Sequence, residues 1–307
     1  MNKINKPLLV TGIHRSATSW IGRMLAVGGG LTYANEPLSV SHRQGVLGMD
    51  VKHWYAYIIE ENESQYLPAV QDLVKLRYQF YKELRTIQSR KDVLRMGRDL
   101  FNFTLGRLRG NQVLFKDPFA SFSTPWFADR LGFQVVISIR HPAGFAGSLK
   151  RMNWPFQIED LLAQPLLMRD HLEPYRAEME SAPADDVVGR ACLLWNALYG
   201  TLYKTLQQRN DLIVVRHEDL SRDPVNGFRG LYKKLGYTFT PKVEHAILNT
   251  SSSDNPTELT RQTRHSVKVD SRANLDNWKK RLSAEDIKRI HKMTDEVSHL
   301  FYNEDEW

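Results

Sequence analysis

Residues 7–20 read PLLVTGIHRSATSW: a short apolar run, one glycine, then a cluster of small and hydroxylated residues that opens a helix. Leu8, Leu9 and Val10 have the pattern of a buried strand, and Gly12 ends it where the backbone must turn sharply. Ser16, Thr18 and Ser19 then place hydroxyls and backbone N–H groups at a helix N-terminus, which is a ready anion site. Arg15 adds a fixed positive charge with a forked donor geometry. The stretch reads as a grip for a phosphate or sulfate. An ordinary strand–turn–helix joint with a serine-rich cap has the same composition, so a second site must decide between the two.

A nucleoside triphosphatase loop follows the pattern G-x-x-x-x-G-K-[ST]. Counted from Gly12, the second glycine falls on Ala17, the lysine on Thr18 and the magnesium-binding hydroxyl on Ser19. Loop length is kept and the lysine is gone, which weakens the triphosphatase reading. The second site comes at residues 134–151, QVVISIRHPAGFAGSLKR. Val135, Val136, Ile137 and Ile139 form a near-continuous apolar run, as in a strand buried on both faces of a parallel sheet. Arg140 stands at its carboxyl end, Pro142 suits the first turn of the next helix, and Ser148 lies about two turns further on. An arginine and a serine so placed can close on a second phosphate; a strand-end arginine in a surface ion pair is the plainer alternative.

Two anion grips at the ends of two parallel strands fit a ligand with phosphates at both ends of a nucleoside. The pair TGIHRSATSW and SIRHPAGFAGSLKR resembles the two signature loops of sulfotransferases that use 3′-phosphoadenosine 5′-phosphosulfate. The resemblance implies that the first loop holds the 5′-phosphosulfate through Arg15, Ser16, Ala17, Thr18 and Ser19, with Trp20 covering the nucleotide or, as we favour, anchoring the helix. It implies that Arg140 and Ser148 hold the 3′-phosphate, with Arg272 reaching the same group from the C-terminal segment. Three further stretches resemble the family in order: VLFKDP at 113–118, LIVVRHEDLSRDP at 212–224 and RANLDNWKKRL at 272–282. Ala17 stands where the family more often has glycine, His141 where it often has Asp or Asn, and His217 where it has tyrosine. The product expected on this reading is adenosine 3′,5′-bisphosphate, and no metal is required.

The chain of 307 residues carries a formal charge of +7 and a single cysteine, Cys192. The charge favours anionic ligands, and one cysteine excludes an internal disulfide framework. No stretch approaches the roughly 20 apolar residues of a membrane span, and MNKINK runs directly into the first strand, so a cytoplasmic protein is expected. The pattern predicts an α/β fold, P-loop-like and doubly wound, with a mostly five-stranded parallel sheet flanked by helices in one domain over 1–307. Strands are expected near 8–10, 31–33, 113–116, 134–139 and 212–215. Thr124-Pro125 and the Ser283/Asp286 pair signal helix starts, and Val188 to Leu206 carry a helical apolar stripe.

Residues 40–110 break the α/β rhythm and predict a helical insertion on the acceptor side. Much of the basic excess lies there, from Lys75 to Arg109, interleaved with Leu76, Phe80, Leu84, Ile87 and Leu94. That pattern predicts amphipathic helices with a basic outer face. Such a face is a solvated surface, or else meets an acidic acceptor or an anionic membrane surface. No nucleic-acid recognition module is present.

The reaction implied is in-line transfer of a sulfuryl group to an acceptor hydroxyl, of a carbohydrate or glycolipid. Glu36, just past the second strand, is the candidate general base. Lys116 and Arg15 are the candidates for charge stabilisation. His14 is a competing base, and a helix-capping or ion-paired Glu36, or a Lys116 salt-bridged to Asp117 or another nearby acid, are the structural alternatives. The rival functions are a diverged P-loop kinase or NTPase and a non-catalytic nucleotide-binding protein.

Overall fold

The computed structural model describes residues 5–258 and 266–307; the first four residues of MNKINK lie outside this range. Five strands form one parallel sheet: β1 (Leu8–Gly12), β2 (Leu31–Asn35), β3 (Gln112–Lys116), β4 (Gln134–Ile139) and β5 (Leu212–Arg216), in the order β2-β3-β1-β4-β5. All four neighbouring pairs are parallel, with Val10 opposite both Lys116 and Val136. The chain goes from β1 to the far edge at β2, returns to β3, then crosses to β4 and β5. The doubly wound α/β fold read from the sequence is the one observed.

Both faces of the sheet are buried, which is why its strands read as apolar runs rather than alternations. Side chains alternate between faces. Leu9, Phe115, Val135 and Ile137 point into the larger core, packed with the long helix Val187–Gln208. Leu8, Val10, Leu114 and Val136 point into the smaller one, against α1 (Thr18–Val27) and the helix Pro224–Leu235. Cys192 is buried and unbridged on the long helix, and burial pushes its thiol up to about 12. The helix starts at Thr124 and Ser283 form as expected; Ser283 and Asp286 make a reciprocal capping box.

Between β2 and β3 the chain forms no strand. Turns occupy residues 37–61, followed by α2 (Leu67–Val74), α3 (Phe80–Leu84) and α4 (Arg90–Leu108). Here the expected orientation needs correction. Leu76 is buried and Phe80 and Ile87 are half-buried, but Leu84 and Leu94 face solvent. The side of α4 against the protein is set instead by Met96, Phe103 and Gly106. Periodicity reveals a stripe, but packing decides which stripe is covered.

The sheet's carboxyl edge carries β1's exit turn, where Gly12 has φ 140°. A Cβ there would overlap the Ser138 carbonyl oxygen and stand 2.9 Å from Ser16 Oγ. Gly12→Ala is expected to lower stability by more than about 2 kcal/mol, through strain and displacement of β4. Urea unfolding checks this; a midpoint equal to the parent's would contradict the close packing of β1 on β4 at this turn.

Candidate functional site

Four other parts of the chain converge on the turn after β1. Ile13 N–H donates to Tyr199 Oη (3.4 Å), His14 N–H to Tyr55 Oη (3.0 Å) and Gly12 N–H to Ser121 Oγ (3.1 Å). Ser138 Oγ donates to the Ser16 carbonyl, and Ser16 Oγ donates back to the Ile13 carbonyl at 2.6 Å. Arg15 and Ala17 both sit in the left-handed region, at φ 67° and 68°, with Ala17 as the N-cap of α1. Non-glycine residues there are strained, and such strain persists only where surroundings over-determine it. The result is a fixed ring of backbone ahead of α1, whose first N–H groups have no acceptor within the helix.

The second motif meets the first directly. Arg140 Nη1 donates to the Arg15 carbonyl at 2.6 Å, and Arg15 Nε donates to Ser148 Oγ at 3.3 Å, on α6 (Pro142–Met152). Arg15, Arg140 and Ser148 therefore form one cluster at the carboxyl edge, where β1 and β4 diverge. In doubly wound sheets this is the crevice where ligands lodge. Burial lowers the Arg15 pKa, and the charges of Arg151 and Arg281 lower it further. Arg140 is pulled down to about 10, mainly by burial and against the attraction of Glu218, with Arg15 and Arg281 adding repulsion. Neighbouring arginine charges that lower the pKa of Arg15 and Arg140 make a site of positive potential, suited to an anion with several charges.

Glu218 is the cluster's buried counter-charge. It accepts from the His141 N–H (3.0 Å) and from the Tyr302 hydroxyl (2.9 Å). Burial opposes its charged form, but the adjacent His217 ring and the bond from the His141 N–H outweigh this and hold the carboxyl down at about 2. His141 caps α6 by accepting the Ala143 N–H, stacks on Trp278 and meets the edge of Trp307. His217 is buried beside Ser221 and Glu218.

On the other flank, Lys116 ends β3 with its side chain almost wholly buried, and its Nζ donates to Glu36 Oε1 at 2.5 Å. Both alternatives raised for these two residues thus meet in one ion pair, with Glu36 as the partner and not Asp117. Asp117 instead accepts the N–H groups of Leu38 (2.5 Å) and Phe119 (2.9 Å), and burial pushes its carboxyl up to about 7. Those bonds, with Glu36 N–H donating to the Lys116 carbonyl (2.7 Å), hold Glu36 at φ 49°. The Glu36 side chain is about one-third exposed.

His14 is placed differently. Its Nδ1 and Tyr55 Oη share a hydrogen bond of 2.6 Å, and its buried Nε2 has no partner. Burial among Trp54, Phe145 and Trp154 holds its pKa down at about 3. A histidine held neutral this strongly has little affinity for a proton, so His14 is a poor base.

Trp20 is committed to packing: its indole N–H donates to Thr250 Oγ1 (2.9 Å) and its ring meets Phe228. Thr18 is buried and Ser19 half-buried at the start of α1. Arg272 is exposed and donates through Nε to the Arg222 carbonyl at 2.9 Å, so it is not joined to Arg140. The C-terminal cation that acts on Arg15 and Arg140 is Arg281, bonded through Nη2 to Glu258 at 2.6 Å. Sequence reasoning passed over Arg281, Glu218 and Tyr55, and gave Asp117 only as a partner for Lys116. Arg281 lay within the quoted run RANLDNWKKRL, but nothing local separates it from Lys279 and Lys280. Among the described residues no cluster of three His, Cys, Asp or Glu side chains is arranged to hold a metal ion.

The chain matches no family model and no curated protein. It is similar in structure to a sulfotransferase domain from the curacin biosynthetic pathway, 14% identical over 98% of this chain and 99% of that one, with a TM-score of 0.49. It is also similar to sulfotransferase STF9 from Mycobacterium avium (13% identical, 99% and 78% covered, TM-score 0.47) and to mouse sulfotransferase SULT7A1 complexed with PAP (8% identical, 98% and 86% covered, TM-score 0.46). At these identities and scores the likeness decides nothing about what this chain binds.

The low pKa of Glu218 has a consequence for stability. Its folded value lies below the ordinary 4.5. The stabilisation is therefore present above pH 4.5 and is lost as pH falls towards 2, by up to about 3 kcal/mol. Glu218→Gln is expected to flatten that acid limb of unfolding free energy against pH. An unchanged limb would place the acid sensitivity elsewhere.

Proposed function

We propose that the chain is a sulfotransferase. It would move a sulfuryl group from 3′-phosphoadenosine 5′-phosphosulfate to an acceptor hydroxyl, of a carbohydrate or glycolipid, and release adenosine 3′,5′-bisphosphate. The observation that carries this reading is the direct junction of the two motifs: Arg140 on the Arg15 carbonyl and Arg15 on Ser148. One multivalent anion would then touch both. The residues suit this donor by their chemistry, since a buried arginine group at a helix N-terminus accepts phosphate and sulfate alike. Arg15, Ser16, Ala17, Thr18 and Ser19 would hold the 5′ end, and Arg140 and Ser148 the 3′-phosphate. Arg281 takes the supporting place first given to Arg272.

When bound, the donor supplies the sulfuryl group with a phosphate leaving group. The chain's own residues do the rest. Glu36 accepts the proton of the acceptor hydroxyl as its oxygen forms the new bond to sulfur. Lys116 and Arg15 place positive charge where the departing phosphate oxygen gains negative charge. At rest Lys116 neutralises Glu36, so Lys116 must turn from that carboxylate towards the leaving oxygen, which frees the base when the donor is in place. The segment from Glu36 to Tyr55 forms the acceptor-side wall, consistent with Tyr55 reaching His14. The carboxylate base supports the carbohydrate branch, because the family's glycan-modifying members often carry one here. A cytoplasmic location fits the absence, among the described residues, of a helix long and apolar enough to cross a membrane.

Glu36→Gln is expected to lower sulfuryl transfer about 10²- to 10⁴-fold while donor affinity changes little. Transfer of labelled sulfate to fractionated glycans and glycolipids checks both the base and the acceptor; turnover equal to the parent's would remove Glu36 from the mechanism. Arg140→Ala should instead weaken donor affinity by about tenfold or more, as expected for loss of a charge-assisted bond. Calorimetry with adenosine 3′,5′-bisphosphate in chelator, beside magnesium-ATP, measures this. Preference for magnesium-ATP in the parent would favour the kinase or NTPase reading. Donor binding without transfer to any fraction would favour a binding protein.

A further inference from the structure

α4 is 19 residues long, yet only Met96, Phe103 and Gly106 are buried in it. Gly106 fixes that side: a Cβ there would overlap Thr32 Oγ1 on the edge strand β2. The opposite side carries Leu94, Phe101 and Leu108, seven residues apart and therefore on one stripe. They are 75%, 64% and 78% exposed. Leucine and phenylalanine this open, aligned over about 20 Å of helix, form an apolar ridge rather than scattered surface residues. α3 packs against α4 and exposes Tyr81 and Leu84 nearby in the chain.

The charges around the ridge are almost all of one sign. Arg90, Lys91, Arg95, Arg98, Arg107 and Arg109 are exposed on α4 and its end. The helix has only two acids against these cations, and both are shared: Asp92 caps the helix start with Ser89 and pairs with Arg95 at 3.5 Å, and Asp99 binds both Arg43 and Arg98 at 2.9 Å. A second copy of this chain is a poor cover, because a twofold contact would set these cations against themselves. A nucleic acid would leave the ridge unburied. An anionic bilayer surface meets both needs, with apolar side chains in the acyl boundary and cations on lipid phosphates.

We propose that the outer face of α4 docks the protein on an anionic phospholipid surface, with Leu94, Phe101 and Leu108 inserted and Lys91, Arg95 and Arg98 on the headgroups. The docking stands on α4 alone and does not depend on the reaction proposed above. Arg43 links the two places, since it joins α4 to the segment that follows Glu36. A lipid-borne acceptor would thus be offered near the base.

The test is sedimentation of the full chain with vesicles of phosphatidylcholine alone and of phosphatidylcholine mixed with phosphatidylserine. Binding to the mixed vesicles is expected to be at least about tenfold tighter and to weaken with salt. The combined variant Leu94→Ser, Phe101→Ser, Leu108→Ser should lose that binding about tenfold or more. So, separately, should Lys91→Glu, Arg95→Glu, Arg98→Glu. Both sets change exposed positions, and unchanged bisphosphate affinity and circular dichroism report an intact fold. Equal binding to both vesicle types, no binding, or binding untouched by either variant would overturn the proposal. So would a dimer in ultracentrifugation that the serine variant abolishes, or an acidic protein captured in place of lipid.

Discussion

The bond from Arg140 to the Arg15 carbonyl is the constraint around which the candidate site is built. It ties the end of β4 to the turn after β1 at a residue whose backbone is left-handed. The same turn is held by hydroxyls of Tyr55, Ser121, Ser138 and Tyr199, each from a different part of the chain. Ordering a loop at the moment of binding costs affinity. Here that cost falls on folding, and the burial on both faces of the sheet offsets it. The turn is accordingly preorganised, with the α1 N-terminus behind it.

Preorganised positive charge is unstable by itself. Burial and the charges of Arg151 and Arg281 lower the pKa of Arg15, and burial with the charges of Arg15 and Arg281 lowers that of Arg140. Glu218 and Glu258 compensate part of this from the rear of the site. On the other flank Lys116 is compensated by Glu36. The two flanks differ in a way that matters for chemistry. The carboxylate of Glu218 is wholly enclosed and fixed by donors, so it serves structure. That of Glu36 is partly open on a strained turn, so it can exchange its partner.

The sheet was legible because its strands are buried on both faces and read as apolar runs at the right spacing. The two strand–turn–helix motifs were legible because each is local, within about fifteen residues. What joins them is not local. Arg15 and Ser148 are 133 residues apart, and Lys116 and Glu36 are 80 apart, so their pairing follows from strand order, which no short pattern encodes. Arg272 and Arg281 show the same limit. Several cations lie in one stretch, and only the path of the C-terminal segment over α6 brings Arg281 towards the cluster. Of the apolar residues read in the insertion only Leu94 falls on α4, and it faces solvent. Leu94 lies on an apolar stripe, but the small Gly106 lets the opposite side approach β2.

The central claim is that Arg15 and Arg140, joined through the loop, hold opposite ends of one nucleotide. A crystal structure with adenosine 3′,5′-bisphosphate measures this most directly. It should place the 5′-phosphate against the N–H groups of residues 16–19 and the 3′-phosphate on Arg140 and Ser148. A nucleotide bound elsewhere, or a single phosphate shared by both arginines with the other in solvent, would contradict it.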